Sequence, residues 1–157
     1  HLDRTRFEPI LYVGSRRGDL LDEVPLDVPV HSFWEAYLRT WPSYLHRLFR
    51  TVSYARWRHL AQLLADERID LVYDRTFLAS LDAAEATSRR PTRRLSACVA
   101  DPDTEARLHF RGRVDSGLRR LAQVYGSATR VLANSNGLRQ RLVDRLCLKP
   151  EQVAVVY

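Results

Sequence analysis

Short apolar runs alternate with longer segments of helical periodicity along the whole chain. The apolar runs lack the strict polar alternation of a strand that is exposed on one face. We therefore predict strands that are mostly buried on both faces, at residues 7–13, 28–33, 69–73, 95–100, 130–133 and 153–157. Pro29 places the second of these strands near an edge or an end of its sheet, because proline cannot donate to a strand ladder.

The segments between these runs carry apolar residues at the i, i+3, i+4 and i+7 spacing of one helix face. The predicted helices end at Asp66–Arg68, at Arg89–Pro91 and near Tyr125–Gly126. Residues 101–105 are predicted to be a polar turn before the third of these helices. Asn134 and Ser135 are positioned to cap a last helix, which has leucines at positions 138, 142 and 146.

Buried strands that alternate with helices are typical of a parallel sheet with helices on both faces. We therefore predict an α/β fold, a Rossmann-like open parallel sheet that forms a single domain over residues 1–157. In such sheets ligands bind outside the carboxyl ends of the strands. The functional residues are accordingly expected in the loops that follow the strands.

The loops after the predicted strands contain arginines, carboxylates and a helix N-terminus. Arginines and helix N-termini suit phosphate groups, and a carboxylate can accept the proton of a hydroxyl nucleophile. The candidate residues are Arg16, Arg17, Asp74, Arg75 and Asp103 for binding the acceptor, Asp101 for catalysis, and Asn134 and Ser135 as a helix cap on the interdomain or phosphate side. They favour phosphate-linked chemistry on a hydroxyl acceptor, although a helix cap, a turn and solvated surface arginines remain alternative interpretations.

Composition supports an ordinary globular domain. Hydrophobic residues make up 45% and charged residues 28% of the 157 positions, which argues against long disorder, collagen and a coiled-coil rod. The 25 Lys and Arg against 19 Asp and Glu give a net charge of +6, which favours nucleic acid, phosphates or an anionic membrane surface as partners. The chain lacks Met and opens on His1, so we interpret it as a fragment of a larger protein.

Several functional classes are disfavoured by the motifs. The histidines show no metal-ligand spacing, and no Walker loop, GxGxxG or GxSxG motif is present. We expect no metal site.

Two cysteines, Cys98 and Cys147, are expected to be reduced, buried thiols. The charged N-terminus does not fit a signal peptide, and no run is long enough to span a bilayer, so a cytoplasmic location is expected.

An aromatic stretch lies between residues 33 and 49, interleaved with arginines. Core packing is one interpretation of these rings, and a hydrophobic acceptor surface is another. With arginines at positions 39, 47, 50, 56 and 58, a third is a basic face that contacts anionic lipid at the inner face of a membrane. The sequence does not distinguish between these three interpretations.

Six segments of the chain share a pattern with a known family. They are His1–Pro9, Gly18–Leu21, Val28–His31, Ile69–Tyr73, Val131–Arg139 and Pro150–Tyr157. Together they resemble the N-terminal domain of family-four retaining glycosyltransferases of GT-B fold, and the C-terminal quarter carries the most specific part of the resemblance. His1–Pro9 resembles the link between the first helix and the second strand of that domain, which implies that a first strand precedes it.

The resemblance implies transfer of a sugar from a nucleotide-sugar co-substrate to a hydroxyl of a sugar, lipid-linked or polysaccharide acceptor, without cofactor or metal. This half would bind the acceptor, and a missing C-terminal half would bind the donor, so the fragment alone is expected to be inactive. In the family a His often follows the strand that matches residues 95–100. Here that position is Asp101, and the family's Gly-rich loop after the first strand is absent. We therefore assign Asp101 as the candidate catalytic residue.

Two other classes remain as alternatives. The charge balance permits a nucleic-acid-binding α/β domain. However, the arginines are spread over several segments instead of lying on one structural element that could contact the nucleic acid. Nucleic acid is accordingly the less favoured partner. The other alternative is a non-catalytic or epimerase-like relative of the GT-B enzymes.

Overall fold

The computed structural model describes residues 2–40 and 49–156, with side chains described for 2–37 and 52–156. Contacts group the chain into two compact units, His1–His59 and Leu60–Tyr157. Each unit contains its own parallel sheet. The two are therefore described separately.

The first unit is built on two short parallel strands. Strands β1 (Leu11–Val13) and β2 (Val30–Ser32) pair in parallel, and a 3₁₀ turn, Asp19–Leu21, lies between them in the chain. Helix α1 (Phe33–Thr40) follows β2 directly, and α2 (Phe49–Asp66) begins in this unit. A small core forms where Phe33, Tyr37 and Ala55 pack together against Tyr12 and Val52.

The second unit contains a four-stranded parallel sheet in the order β3-β4-β5-β6. Its strands are β3 (Leu71–Arg75), β4 (Arg93–Cys98), β5 (Arg130–Ala133) and β6 (Val153–Val155). Its helices are α3 (Phe77–Arg89), α4 (Pro102–His109), α5 (Val114–Gly126) and α6 (Asn136–Leu146), with a 3₁₀ turn at Pro150–Gln152. Parallel strands with helices on both faces confirm the predicted Rossmann-like α/β class.

The main core lies between the four-stranded sheet and its helices. Leu138, Leu142 and Leu146 of α6 are buried, as the helical spacing predicted. They join Leu121 and Tyr125 of α5 and the strand residues Val131 and Ala133 in one apolar cluster. Strand β5 pairs with β4 on one side and with β6 on the other, so the loop that follows it emerges from the interior of the sheet order.

One predicted helix is two helices in the structure. The segment predicted as a turn, residues 101–105, is the start of α4, and α4 is separated from α5 at Arg111 and Gly112, which have φ values of 49° and 79°. These positive φ angles cannot belong to a right-handed helix. The chain folds back there, and a Cβ on Gly117 of α5 would lie 2.8 Å from the Cβ of Ala106 on α4. This close approach explains how the two short helices pack.

The aromatic stretch is described only in part. Phe33 and Tyr37 are buried, which supports core packing for these two rings, whereas Trp34 is 38% exposed. Of the arginines predicted for a basic face, Arg56 is half-buried and Arg58 is exposed. The other predictions on this stretch lie outside the described side chains, at Arg39, Trp41, Tyr44, Arg47, Phe49 and Arg50.

The cysteines are free thiols in different surroundings. Cys98 is buried at the end of β4, and burial raises its pKa to about 11, so the thiolate that reacts is disfavoured. Cys147 ends α6 in a left-handed conformation, with φ of 53°, and is exposed. The prediction that both thiols are buried is therefore wrong for Cys147, which lies in the left-handed turn between the buried residues Leu146 and Leu148 and has its own side chain exposed.

Candidate functional site

A pocket of about 680 Å³ opens at the carboxyl ends of β4 and β5 in the second unit. Its wall combines two carboxylates, two guanidinium groups, an amide and a hydroxyl with two apolar side chains. The lining residues are Val99, Asp101, Asp103, Thr104, Arg107, Asn134, Leu138 and Arg141. This is the edge of a parallel sheet at which ligands bind.

Asp101 is held in one orientation by donors on both of its carboxylate oxygens. It is the N-cap of α4, and its Oδ1 accepts hydrogen bonds from the backbone N–H groups of Asp103 (3.1 Å) and Thr104 (3.2 Å). Arg141 of α6 pairs with Oδ2. Pro102 at the first helical position needs no such acceptor because it has no N–H. The cap therefore places the Asp101 carboxylate at the pocket wall.

Asp103 forms a second ion pair between α4 and α6. The guanidinium of Arg145 donates from Nε to its Oδ2 at 2.9 Å and from Nη2 to its Oδ1. The hydrogen bond from Arg145 lowers the pKa of Asp103, and the charges of Arg145, Arg107 and Arg141 act in the same direction. The same bond raises the pKa of Arg145. Asp103 is therefore a carboxylate with a dedicated counter-ion.

The turn between β5 and α6 supplies the opposite wall. Ser135 is the N-cap of α6, and its Oγ accepts a hydrogen bond from the backbone N–H of Leu138 at 3.1 Å. This confirms the capping role predicted for Ser135. Asn134, one residue earlier, is exposed and lines the pocket with its amide.

Asp74 occupies a different position from the one predicted. Strand β3 extends through Arg75, so Asp74 lies within the strand and not in the loop after it. Its carboxylate is 5% exposed and accepts hydrogen bonds from Ser80, Ser96 (2.5 Å) and Arg94 (3.3 Å). Because these buried partners use the carboxylate, Asp74 is not part of the pocket and we do not retain it as an acceptor-binding residue.

Arg94 completes this interior cluster. It is 1% exposed, and besides Asp74 it donates to the Val124 carbonyl and to the Ser127 hydroxyl at 2.9 Å. Burial lowers the pKa of Arg94, whereas the Asp74 carboxylate acts in the opposite direction. The cluster connects β3, β4, α3 and α5, which is a structural role.

The remaining predicted residues are not among those that line this pocket. Arg75 is exposed at the end of β3, directly before Thr76, whose φ is 81°. Arg16 and Arg17 belong to the first unit, where both are exposed. Arg16 donates to the Val30 carbonyl and lies 3.4 Å from Glu35. Of the predicted set, Asp101, Asp103 and Asn134 line the pocket, and Ser135 follows Asn134 as the cap of α6. A site role for the three arginines stays a prediction.

Residues 2–40 and 49–156 contain neither a candidate metal centre nor a candidate membrane-spanning helix. Within these residues no group of three or more His, Cys, Asp and Glu side chains could hold a metal ion. No helix in the same ranges is both long enough and apolar enough to cross a membrane.

The sequence matches the profile of Glycosyltransferase Family 4 over residues 1–157. The chain belongs to this family. The resemblance deduced from its own segments is thereby confirmed. No protein of curated function matches the chain in sequence at a significant level.

Solved structures of other proteins share the fold of this family 4 chain. A glycosyltransferase from Rickettsia africae ESF-5 superimposes with a TM-score of 0.62 at 15% identity, over 97% of this chain and 35% of that one. HepE (Alr3699) of Anabaena, solved in complex with UDP and glucose, gives a TM-score of 0.62 at 16% identity, over 94% of this chain and 36% of that one. The family 4 chain therefore spans about a third of the length of these structures.

Sequence reasoning missed the basic residues of the pocket. Thr104 and Arg107 lie three positions apart on α4, a spacing that places them on one helix face. The sequence pattern instead predicts a turn at residues 101–105, which separates the two residues. Arg141 and Arg145 are four apart on α6 and therefore neighbours on its surface. That spacing was visible, but their pairing with Asp101 and Asp103, some 40 positions earlier, is a tertiary contact that no local pattern encodes.

Proposed function

We propose that this chain is the acceptor-side domain of an enzyme that transfers a sugar from a nucleotide-sugar donor to a hydroxyl group. Membership of Glycosyltransferase Family 4 supports the reaction class. The observation that carries the assignment of the site is the pocket at the ends of β4 and β5, with Asp101 in its wall. In the reaction, the bond from the sugar's anomeric carbon to the diphosphate oxygen breaks, and a bond to the acceptor oxygen forms.

Asp101 is the proposed catalytic residue of the pocket. An ionised carboxylate has about four lone-pair positions, of which the backbone N–H groups of Asp103 and Thr104 and the Arg141 guanidinium use three. One position is left for a hydrogen bond from the acceptor hydroxyl. The carboxylate would orient that hydroxyl and accept its proton as the new bond forms. A fixed carboxylate suits this task, because the entropic cost of orienting it is already met by folding.

The donor is proposed to bind mainly to a second domain outside this chain. The chain corresponds to about a third of its structural neighbours, and one of these is solved with UDP and glucose. The pocket described here lacks a Walker or GxGxxG loop that would hold a diphosphate. We therefore assign the pocket to the acceptor and the nucleotide to the other domain.

The proposal is tested with the full-length protein that contains this chain. It is incubated with UDP-, GDP- and ADP-sugars and a mixture of sugar acceptors, so that the glycosyl group passes to an acceptor hydroxyl or to water, and the release of the nucleoside diphosphate is measured with EDTA and with added Mg²⁺. We expect release from one donor class that persists in EDTA, because the family resemblance implies metal-independent transfer. Release that EDTA abolishes and Mg²⁺ restores would contradict the metal-independent mechanism, and no release from any donor would contradict the function.

A further inference from the structure

We infer that the pocket binds an acceptor sugar that carries an anionic group, a phosphate or a carboxylate, and that Arg107 binds this group. The inference rests on the proposed function, because it names the substrate class of the same site. It adds a chemical property of the acceptor that neither the family profile nor the structural neighbours specify.

The balance of charges in the pocket is the first argument. Two carboxylates, Asp101 and Asp103, and two guanidinium groups, Arg107 and Arg141, line it. Arg141 pairs with Asp101, and Arg145, which is not in the wall, pairs with Asp103. Both carboxylates therefore have counter-ions without Arg107. The positive charge of Arg107 is therefore available to bind an anionic ligand.

The surroundings of Arg107 are the second argument. Its side chain is exposed in the pocket wall and forms no ion pair with any residue that the structure describes. The Asp103 carboxylate is near enough for Arg107 to lower its pKa, but Arg145 holds both of its oxygens. A guanidinium whose N–H groups are not engaged in an ion pair matches the geometry of a phosphate or a carboxylate. It can donate two parallel hydrogen bonds to either group.

The other wall residues fit the sugar that would carry this anion. Thr104 presents a hydroxyl and Asn134 an amide, which can each donate to and accept from sugar hydroxyls. Val99 and Leu138 provide an apolar surface for the C–H groups of a ring. The pocket thus offers hydrogen-bonding groups, an apolar contact and one uncompensated cation. A neutral sugar would leave that cation unused.

Direct binding tests the inference without relying on catalysis. The full-length protein that contains this chain is labelled with ¹⁵N and titrated with glucose, glucose 6-phosphate, glucuronate and inorganic phosphate, while the amide signals of Thr104, Arg107 and Asn134 are followed by NMR. We expect at least one of the two anionic sugars to bind more tightly than glucose and to shift these amide signals. Preference for glucose 6-phosphate identifies a phosphate ligand, and preference for glucuronate identifies a carboxylate ligand.

Variants assign the effect to Arg107. R107Q should weaken binding of the preferred anionic sugar by about tenfold, since one charge-assisted contact is lost. R107K, which keeps the charge, should retain part of the affinity. R119Q on α5 is the matched control, because it removes the same charge from an exposed position outside the pocket. It should leave the affinity unchanged.

The results that would overturn the inference are distinct from failure of the proposed function. Equal affinity for glucose and both anionic sugars, or equal loss in R107Q and R119Q, would contradict the anion site. Inorganic phosphate that binds as tightly as glucose 6-phosphate would contradict the sugar part of the assignment. Because none of these results depends on sugar transfer, they leave the nucleotide-release assay as a separate test of the reaction.

Discussion

The second unit contains Asp–Arg pairs in two very different surroundings. The pair Asp74–Arg94 lies in the interior, with side chains 4% and 1% exposed. The pairs Asp101–Arg141 and Asp103–Arg145 lie at the pocket, and their arginines are 63% and 50% exposed. The interior pair is therefore surrounded by protein, whereas the two pocket pairs are partly in contact with solvent.

The difference separates structural from functional use of the same residue types. An interior pair cannot lose one member without leaving an uncompensated charge in a medium of low dielectric constant. A pair at the surface contributes little to stability, because water solvates each member separately. Asp101 can therefore serve a ligand at little cost to the fold, whereas Asp74 cannot. This comparison predicts effects of different size for the same kind of substitution.

The largest effect on stability is expected from Asp74→Asn. The variant removes the counter-ion of Arg94 and leaves a buried guanidinium without its carboxylate, which should cost about 3–5 kcal/mol of the free energy of unfolding. Urea denaturation of the wild type and the variant measures the difference. A loss so large that no cooperative transition remains would agree with this expectation.

Asp144→Asn is the matched control for that substitution. Asp144 is exposed on α6 and accepts a hydrogen bond from Gln140 at 2.9 Å. The same change of carboxylate to amide should alter the free energy of unfolding by no more than about 0.5 kcal/mol. If Asp74→Asn were as mild as Asp144→Asn, the structural role of the interior pair would be refuted.

A small effect is expected from Arg145→Gln at the pocket. The folded-state pKa of Asp103 is lowered, so its ion pair adds stability above the unfolded-state pKa of about 3.9. That contribution is lost as the pH falls through the folded-state pKa. The variant should melt within about 2 °C of the wild type at pH 7, and the two should converge at acid pH. Thermal melts across this pH range test it, and a difference that grows towards low pH would contradict the assignment.

The sequence predicted the parts of the fold that depend on local patterns. The strand at residues 130–133 and the helix capped by Ser135 were predicted where the structure has them, because an apolar run and a capping residue are local signals. The break between α4 and α5 was missed. Apolar spacing continues across it, and the turn depends on positive φ at Arg111 and on the close packing of Gly117 against Ala106.

Only part of the site was predicted, from the rule that ligands bind outside the carboxyl ends of parallel strands. That rule placed Asp101, Asp103 and Asn134 correctly at one edge. It misplaced Asp74, because an error of two residues at a strand end decides whether a carboxylate faces the core or the solvent. The roles of Arg107 and Arg141 depend on how α4 and α6 lie beside each other in space. That arrangement follows from tertiary packing and was not accessible from spacing alone.

The proposal that Asp101 is catalytic is tested most directly by Asp101→Asn in the full-length protein. Asparagine is as good an N-cap as aspartate, so α4 and the overall stability should be preserved while the carboxylate is lost. We expect turnover of the nucleotide sugar to fall by about 100-fold or more, with an unchanged melting midpoint. Turnover close to that of the wild type, with the same midpoint, would show that Asp101 is only a helix cap.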